Sequence, residues 1–103
     1  MTQPIQIYLG VPQTVKLPVY EAQQGQQTTI KQMIFTNTNE TDAKITVTVN
    51  TVDIMKDYIV KAGETKLINL EIILKQSDKL SLQQEKVNAI NVMICGTLEP
   101  AVY

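Results

Sequence analysis

TTIKQMIFTNTNETDAKITVTVN, residues 28 to 50, decides the fold class. Ile45, Val47 and Val49 alternate strictly with Thr46 and Thr48, which makes one apolar and one hydroxylated face. A period of two is that of a half-buried β-strand. Upstream, Thr29 to Thr36 forms a second strand, with Ile30 and Ile34 on one side and Met33 and Phe35 on the other. Between the two lies Asn37-Thr38-Asn39-Glu40-Thr41-Asp42, rich in side chains that bond their own backbone and favour turns. The pattern predicts a β-hairpin with the Ile45, Val47 and Val49 face in the core. On that reading Val47→Ala costs about 1–3 kcal/mol and Thr48→Ala little.

Working outward, the same period recurs. Ile5, Ile7, Leu9 and Val11 sit between Pro4 and Pro12, and proline cannot donate to a central ladder. Residues 1–12 therefore read as an edge strand or an arm. Thr14 to Glu21 is an edge strand marked by Pro18, with Val15, Leu17 and Val19 on one face. Residues 22–27 form a loop, and the pattern breaks over residues 51–57 before Tyr58-Ile59-Val60. Gly63 opens a turn, and Lys66 to Lys75 alternates through Ile68, Leu70, Ile72 and Leu74. Leu80 to Gln83 and Ala89 to Gly96 complete the set, the latter with Ile90, Val92 and Ile94 inward. Pro100 makes residues 97–103 an extended C-terminal arm. The expectation is a single all-β domain over residues 1–103. It is an antiparallel β-sandwich of about eight strands, jelly-roll or Ig-like in its connections.

Composition excludes several functions. With 103 residues the chain has enough core to fold without staples. The formal charge is −1 and every basic residue is Lys, so there is no electrostatic footprint for nucleic acid. Histidine is absent, which removes the commonest general base and zinc ligand. No apolar run reaches the ~18 residues that cross a bilayer, and MTQPIQIYLG lacks the pattern of a secretory leader. Synthesis and folding in a cytoplasm are expected, with no membrane partner.

Each chemistry-bearing residue has a plain structural alternative, and that alternative is preferred throughout. Glu40 and Asp42 with Asn37 and Asn39 offer oxygens to a hard cation but lack the order of a calcium loop. They read as a solvated turn, and Asn39-Glu40-Thr41 as a chance glycosylation pattern. Asp53 and Asp57 read as exposed turn charges. Cys95 has no base to activate it and reads as a packing residue. Tyr8, Tyr20, Tyr58 and Tyr103 are too scattered for a sugar-stacking platform, and neither Ser77 nor Ser81 stands in a nucleophile elbow. No catalytic residue, cofactor or metal is expected; the chain reads as non-enzymatic.

Five segments carry a resemblance in pattern and order: Ile34-Phe35-Thr36-Asn37-Thr38, Ile45 to Val49, Ile59 to Thr65, Ser77-Asp78-Lys79-Leu80, and Ile90-Asn91-Val92. Over residues 14 to 96 the chain resembles small β-sandwich virion structural proteins of tailed bacteriophages, such as head decoration, neck and tail accessory proteins. That resemblance implies an oligomeric structural role in the virion, on capsid or tail. The implied partners are other copies of the chain and major capsid or tail proteins. A receptor- or carbohydrate-binding module is the alternative. The apolar, proline-flanked ends supply the expected subunit contacts: Ile5, Ile7, Leu9, Leu98, Val102 and Tyr103.

Overall fold

The computed structural model describes residues 3–100. They form eight strands: β1 (Gln3–Gly10), β2 (Leu17–Glu21), β3 (Gln26–Asn37), β4 (Ala43–Val49), β5 (Val52–Val60), β6 (Thr65–Leu74), β7 (Lys79–Gln84) and β8 (Ile90–Pro100). One antiparallel sheet has the order β1-β8-β3-β6 and the other β2-β7-β4-β5. The expected antiparallel β-sandwich is thus what forms. Its pairs are nested: β4 with β5, β3 with β6, β2 with β7 and β1 with β8. This is one long hairpin rolled into two layers, the jelly-roll arrangement.

The tip of that long hairpin is Asn50-Thr51. Val49 pairs with Val52 across it, and Asn50 takes the positive φ of 57° that a tight turn demands. Asn suits the left-handed region, and its amide also serves the neighbouring turn, accepting from the Lys79 N–H (3.0 Å) and donating to Asp78 Oδ1 (3.1 Å).

The hairpin expected over residues 28–50 is corrected. Both strands exist, but β3 and β4 lie in different sheets and do not pair. The segment between them crosses the sandwich because Asn37 is buried and its amide is fully used. Nδ2 donates to the Thr41 and Val60 carbonyls (2.9 Å each), while Oδ1 accepts from the Asn39 N–H (2.8 Å). Those bonds tie the end of β3 to the end of β5, in the opposite sheet.

A second correction concerns facing. The β3 register slips at Lys31 against both of its neighbours. The extra residue shifts the parity, so Ile30, Met33 and Phe35 all point into the core and Ile34 points out. Residues 51–57 are likewise not a break. From Val52 on they belong to β5, whose pairing with β4 slips twice between Asp53 and Tyr58, with Asp57 at φ 52°. The second edge strand begins at Leu17 rather than Thr14, and Val15 and Leu17 are exposed. Residues 97–100 do not leave the sheet; β8 stays paired with β3 as far as Pro100.

The core lies between the sheets and centres on Phe35, Ile30, Met33, Ile45, Leu82 and Ile94, all buried. Phe35 and Tyr58 bridge the layers with ring centroids 6.0 Å apart and planes at 55°, a favourable tilted geometry. Gln84, a buried polar side chain, is paired within the fold: it donates to the Pro12 carbonyl and accepts from the Ile90 N–H. Gly96 stands where β8 lies against β3 with no room for a side chain. A Cβ there would come within 2.0 Å of the Thr29 carbonyl oxygen.

That contact is with backbone and cannot be relieved by a rotamer change. Gly96→Ala is therefore expected to destabilise the protein by about 1–3 kcal/mol or more, and Val47→Ala by about 1–3 kcal/mol, with shifts in the urea midpoint reading both. A neutral Gly96→Ala would refute the close approach.

Candidate functional site

Four of the six side chains expected to contact a neighbour have described surroundings, and they behave differently. Ile7 is buried in the protein's own core, at a register slip in β1. Ile5 is half-buried and packs against that core. Leu98, also half-buried, stands between Gln3 and Thr28 near the end of the first sheet. Leu9 is 63 % exposed. Val102 and Tyr103 lie outside the described residues.

Leu9 belongs to a feature that spans the sheet. It pairs with Met93, Met93 with Ile34, and Ile34 with Leu67, so one apolar row crosses all four strands on the outer face. Directly opposed residues share a face in an antiparallel ladder, which makes the row a consequence of register. Its two end members, Leu9 and Leu67, are the most open, at 63 % and 55 %. The next row, Gln6, Cys95, Gln32 and Asn69, is polar apart from the half-exposed thiol. Cys95 thus faces outward in mid-strand and is no core residue.

The wider distribution follows the same rule. Among the described residues ten large apolar side chains are exposed. Leu9, Val11, Val15 and Leu17 lie on β1, on β2 or between them; Val52, Ile54, Ile59, Leu67 and Ile73 lie on β5 and β6. Val87 is the tenth. The four central strands contribute none. These edges also carry proline (Pro4, Pro18) and charge (Asp53, Lys56, Asp57, Lys66, Glu71), the usual guards against strand addition, beside the exposed aliphatic groups.

The other sheet presents a polar groove on its outer face. Its volume is about 330 Å³, and Lys16, Lys44, Lys56, Asp53, Asp57 and Thr46 are among its lining. Here Thr46 and Thr48 point away from the core as expected, yet both are buried. The bulged β5 folds over them. Thr48 Oγ1 donates to Asp53 Oδ1 (2.8 Å), Thr46 Oγ1 accepts from the Asp57 N–H (3.1 Å), and Lys16 Nζ reaches Asp53 Oδ1 (3.1 Å). The expectation that Thr48→Ala costs little is therefore corrected, because Thr48 is a buried donor with a carboxylate partner. The Thr48 hydroxyl first, and Lys16 second, hold the Asp53 carboxyl below the usual carboxylate range. Both charges are partly exposed, so the pair fixes geometry more than it adds stability.

The remaining candidates fall into structural roles. Asn37 closes the crossing, and Asp42 Oδ1 accepts from the Ala62 N–H (3.0 Å), so two of the four loop side chains have an oxygen engaged with backbone. Among the described residues no three acidic or cysteine side chains group as a metal would require. Tyr8, Tyr20 and Tyr58 pack against the core, and burial pushes the Tyr8 hydroxyl up in pKa. Sequence reading marked β1 and β2 as edge segments but missed the apolar edge of β5 and β6 and the groove. The groove depends on bulges in β5 that alternation does not reveal.

No family model matches the chain, and no curated protein matches it. Among solved structures it is similar to the Drosophila NLP core, at 18 % identity and a TM-score of 0.50, over 95 % of this chain and 97 % of that one. The structure of infectious bursal disease virus Gt strain shares 12 % identity at a TM-score of 0.46, over 95 % of this chain and 29 % of that one. The first likeness bears on the fold alone; the second is too slight to bear on anything further.

Because Asp53 is held low in the folded protein, its contribution to stability is present above its unfolded pKa. It fades as pH falls through the lower, folded value. Removing the main cause, in Thr48→Ala, should bring the Asp53 carboxyl back towards the ordinary range in an NMR carboxylate titration. An unmoved Asp53 titration would mean that Thr48 is not the cause.

Proposed function

We propose that this protein is a non-enzymatic structural subunit that works by associating with copies of itself. In its finer form the proposal is a virion component of a tailed bacteriophage, made in the host cytoplasm and placed on capsid or tail. There it would pack against its own copies and against a major capsid or tail protein. The observation that carries the reading is the placement of the exposed aliphatic side chains along the lateral edges of a rigid sandwich. Isolated surface leucines are ordinary, but nine of ten along the open edges form the kind of apolar patch that marks an interface.

Three further points support it. The segments that resemble phage sandwich proteins hold the fold in shape: Asn37 closes the β3–β4 crossing, Gly63 takes φ 70° in the β5–β6 turn, and Asp78 accepts from the Lys75 N–H. The Drosophila NLP core, whose structure is described in terms of pentamer formation and histone binding, has a similar fold and is an assembly of copies. A formal charge of −1 lets copies approach without strong repulsion. The alternative of a carbohydrate-binding module would need exposed aromatic rings, and Tyr8, Tyr20 and Tyr58 are turned against the core.

Light scattering coupled to gel filtration tests the reading. The purified chain should elute with a mass of several subunits, and EDTA should leave that mass unchanged. A strictly monomeric chain at all concentrations, or a mass that collapses on chelation, would count against it.

A further inference from the structure

The two lateral flanks of the sandwich are different surfaces, and over most of their length they match. β1 and β2 form one flank; β6 and β5 form the other. In the first sheet seven cross-strand rows run from β1 to β6, so the register compares the flanks; five have ends alike in polarity, and two, Gln3 with Leu74 and Gly10 with Lys66, do not. The row that begins with Leu9 ends with Leu67. Ile5 corresponds to Ile72, Tyr8 to Ile68 and Pro4 to Ile73. The polar row also agrees, with the exposed amides Gln6 and Asn69 at its two ends. In the second sheet the row Leu17, Leu82, Val47, Met55 again has an apolar residue at each end.

Resting on the self-association proposed above, we infer that the β1/β2 flank of one copy packs on the β5/β6 flank of the next. The contact is heterologous: unlike surfaces meet, so every copy keeps one flank of each kind and addition can continue. Apolar row ends meet apolar row ends, and the Gln6 amide meets the Asn69 amide, which is able to donate and accept in turn. Charge does not oppose it. Residues 3–21 carry one charge of each sign, Lys16 and Glu21, and the acids and lysines of β5 and β6 nearly balance. Proline and bulging decide the manner of contact. Pro4 and Pro18 lack an N–H, and β1 and β2 both slip in register, so side-chain packing rather than continuous strand addition joins the flanks.

Size is adequate. The Cα envelope measures 47 × 23 × 18 Å. A ten-residue edge strand such as β6 is about 33 Å long. Taken with the smallest dimension, a flank offers roughly 600 Å² per copy, or about 1,200 Å² buried in total, above the roughly 1,000 Å² that a specific interface requires.

The test poisons one flank at a time in the full chain. Leu9→Glu with Leu17→Glu disables the first flank, and Ile59→Glu with Leu67→Glu disables the second. All four side chains are exposed, so both variants should keep the wild-type circular dichroism; Gln replaces Glu in either variant that does not. Each variant alone should be monomeric by light scattering. Mixed in equal amounts, they should give a complex of two chains and no larger, because one intact flank of each kind remains. A mixture that stays monomeric beside an assembling wild type would overturn this contact and leave self-association standing. Variants that assemble alone as the wild type does would overturn it too. A wild type that never assembles would overturn both.

Discussion

The buried carboxamide of Asn37 is the constraint on which the topology depends. Three hydrogen bonds to backbone partners, in its own loop and at the end of β5, satisfy it. An unpaired buried amide would cost on the order of 1–3 kcal/mol. The cheapest way to meet that demand is to send the chain across the sandwich instead of back along β3. Once β4 lies in the second sheet, its partner must come from the next segment, and the Asn50-Thr51 turn delivers β5 to it. The outer pairs then follow in nested order. Gln84 does comparable work at the β1–β2 connection, where its amide links the Pro12 carbonyl to the Ile90 N–H.

Sequence periodicity records which side chains share a face, and there it was informative. Ile45 and Val47 are buried, as are Ile90, Val92 and Ile94, and Leu74 with its half-buried companions Ile68, Leu70 and Ile72 faces the core. Periodicity does not record which strand lies next door. A polar segment such as Asn37 to Asp42 has the composition of a hairpin turn whether it joins neighbours in one sheet or crosses between two. The difference lies in where the Asn37 side chain finds its acceptors, and one of them, the Val60 carbonyl, is 23 residues away.

Bulges account for most of the rest. One inserted residue at Lys31 moves Ile30 to the face occupied by Met33 and Phe35, although its sequence parity is that of Ile34. Two slips in β5 hide residues 52–57 of that strand from an alternation test and wrap it over Thr46 and Thr48. These hydroxyls read as solvent-facing because they are polar and alternate with valine. They are instead buried beneath β5, Thr46 in the lining of the groove, and are satisfied by Asp53 and by the Asp57 N–H. The subunit contacts were legible as chemistry, in aliphatic residues beside proline, but not as place. Ile7 turned inward, Leu9 outward, and β5 and β6 proved equally open.

The nested pairing also sets an order on folding. Joining β4 to β5 closes a loop of two residues, Asn50 and Thr51, whereas joining β1 to β8 from an unfolded chain would close a loop of about 80. Loop entropy rises with the logarithm of length, so the outer pair formed first would cost about 3 kcal/mol more than the inner one. Zippering from the Asn50 tip outward avoids that penalty, since each pair shortens the loop that the next must close. The edge that would meet a neighbouring copy through β1 is then completed last, after the rest of the sandwich has been sealed.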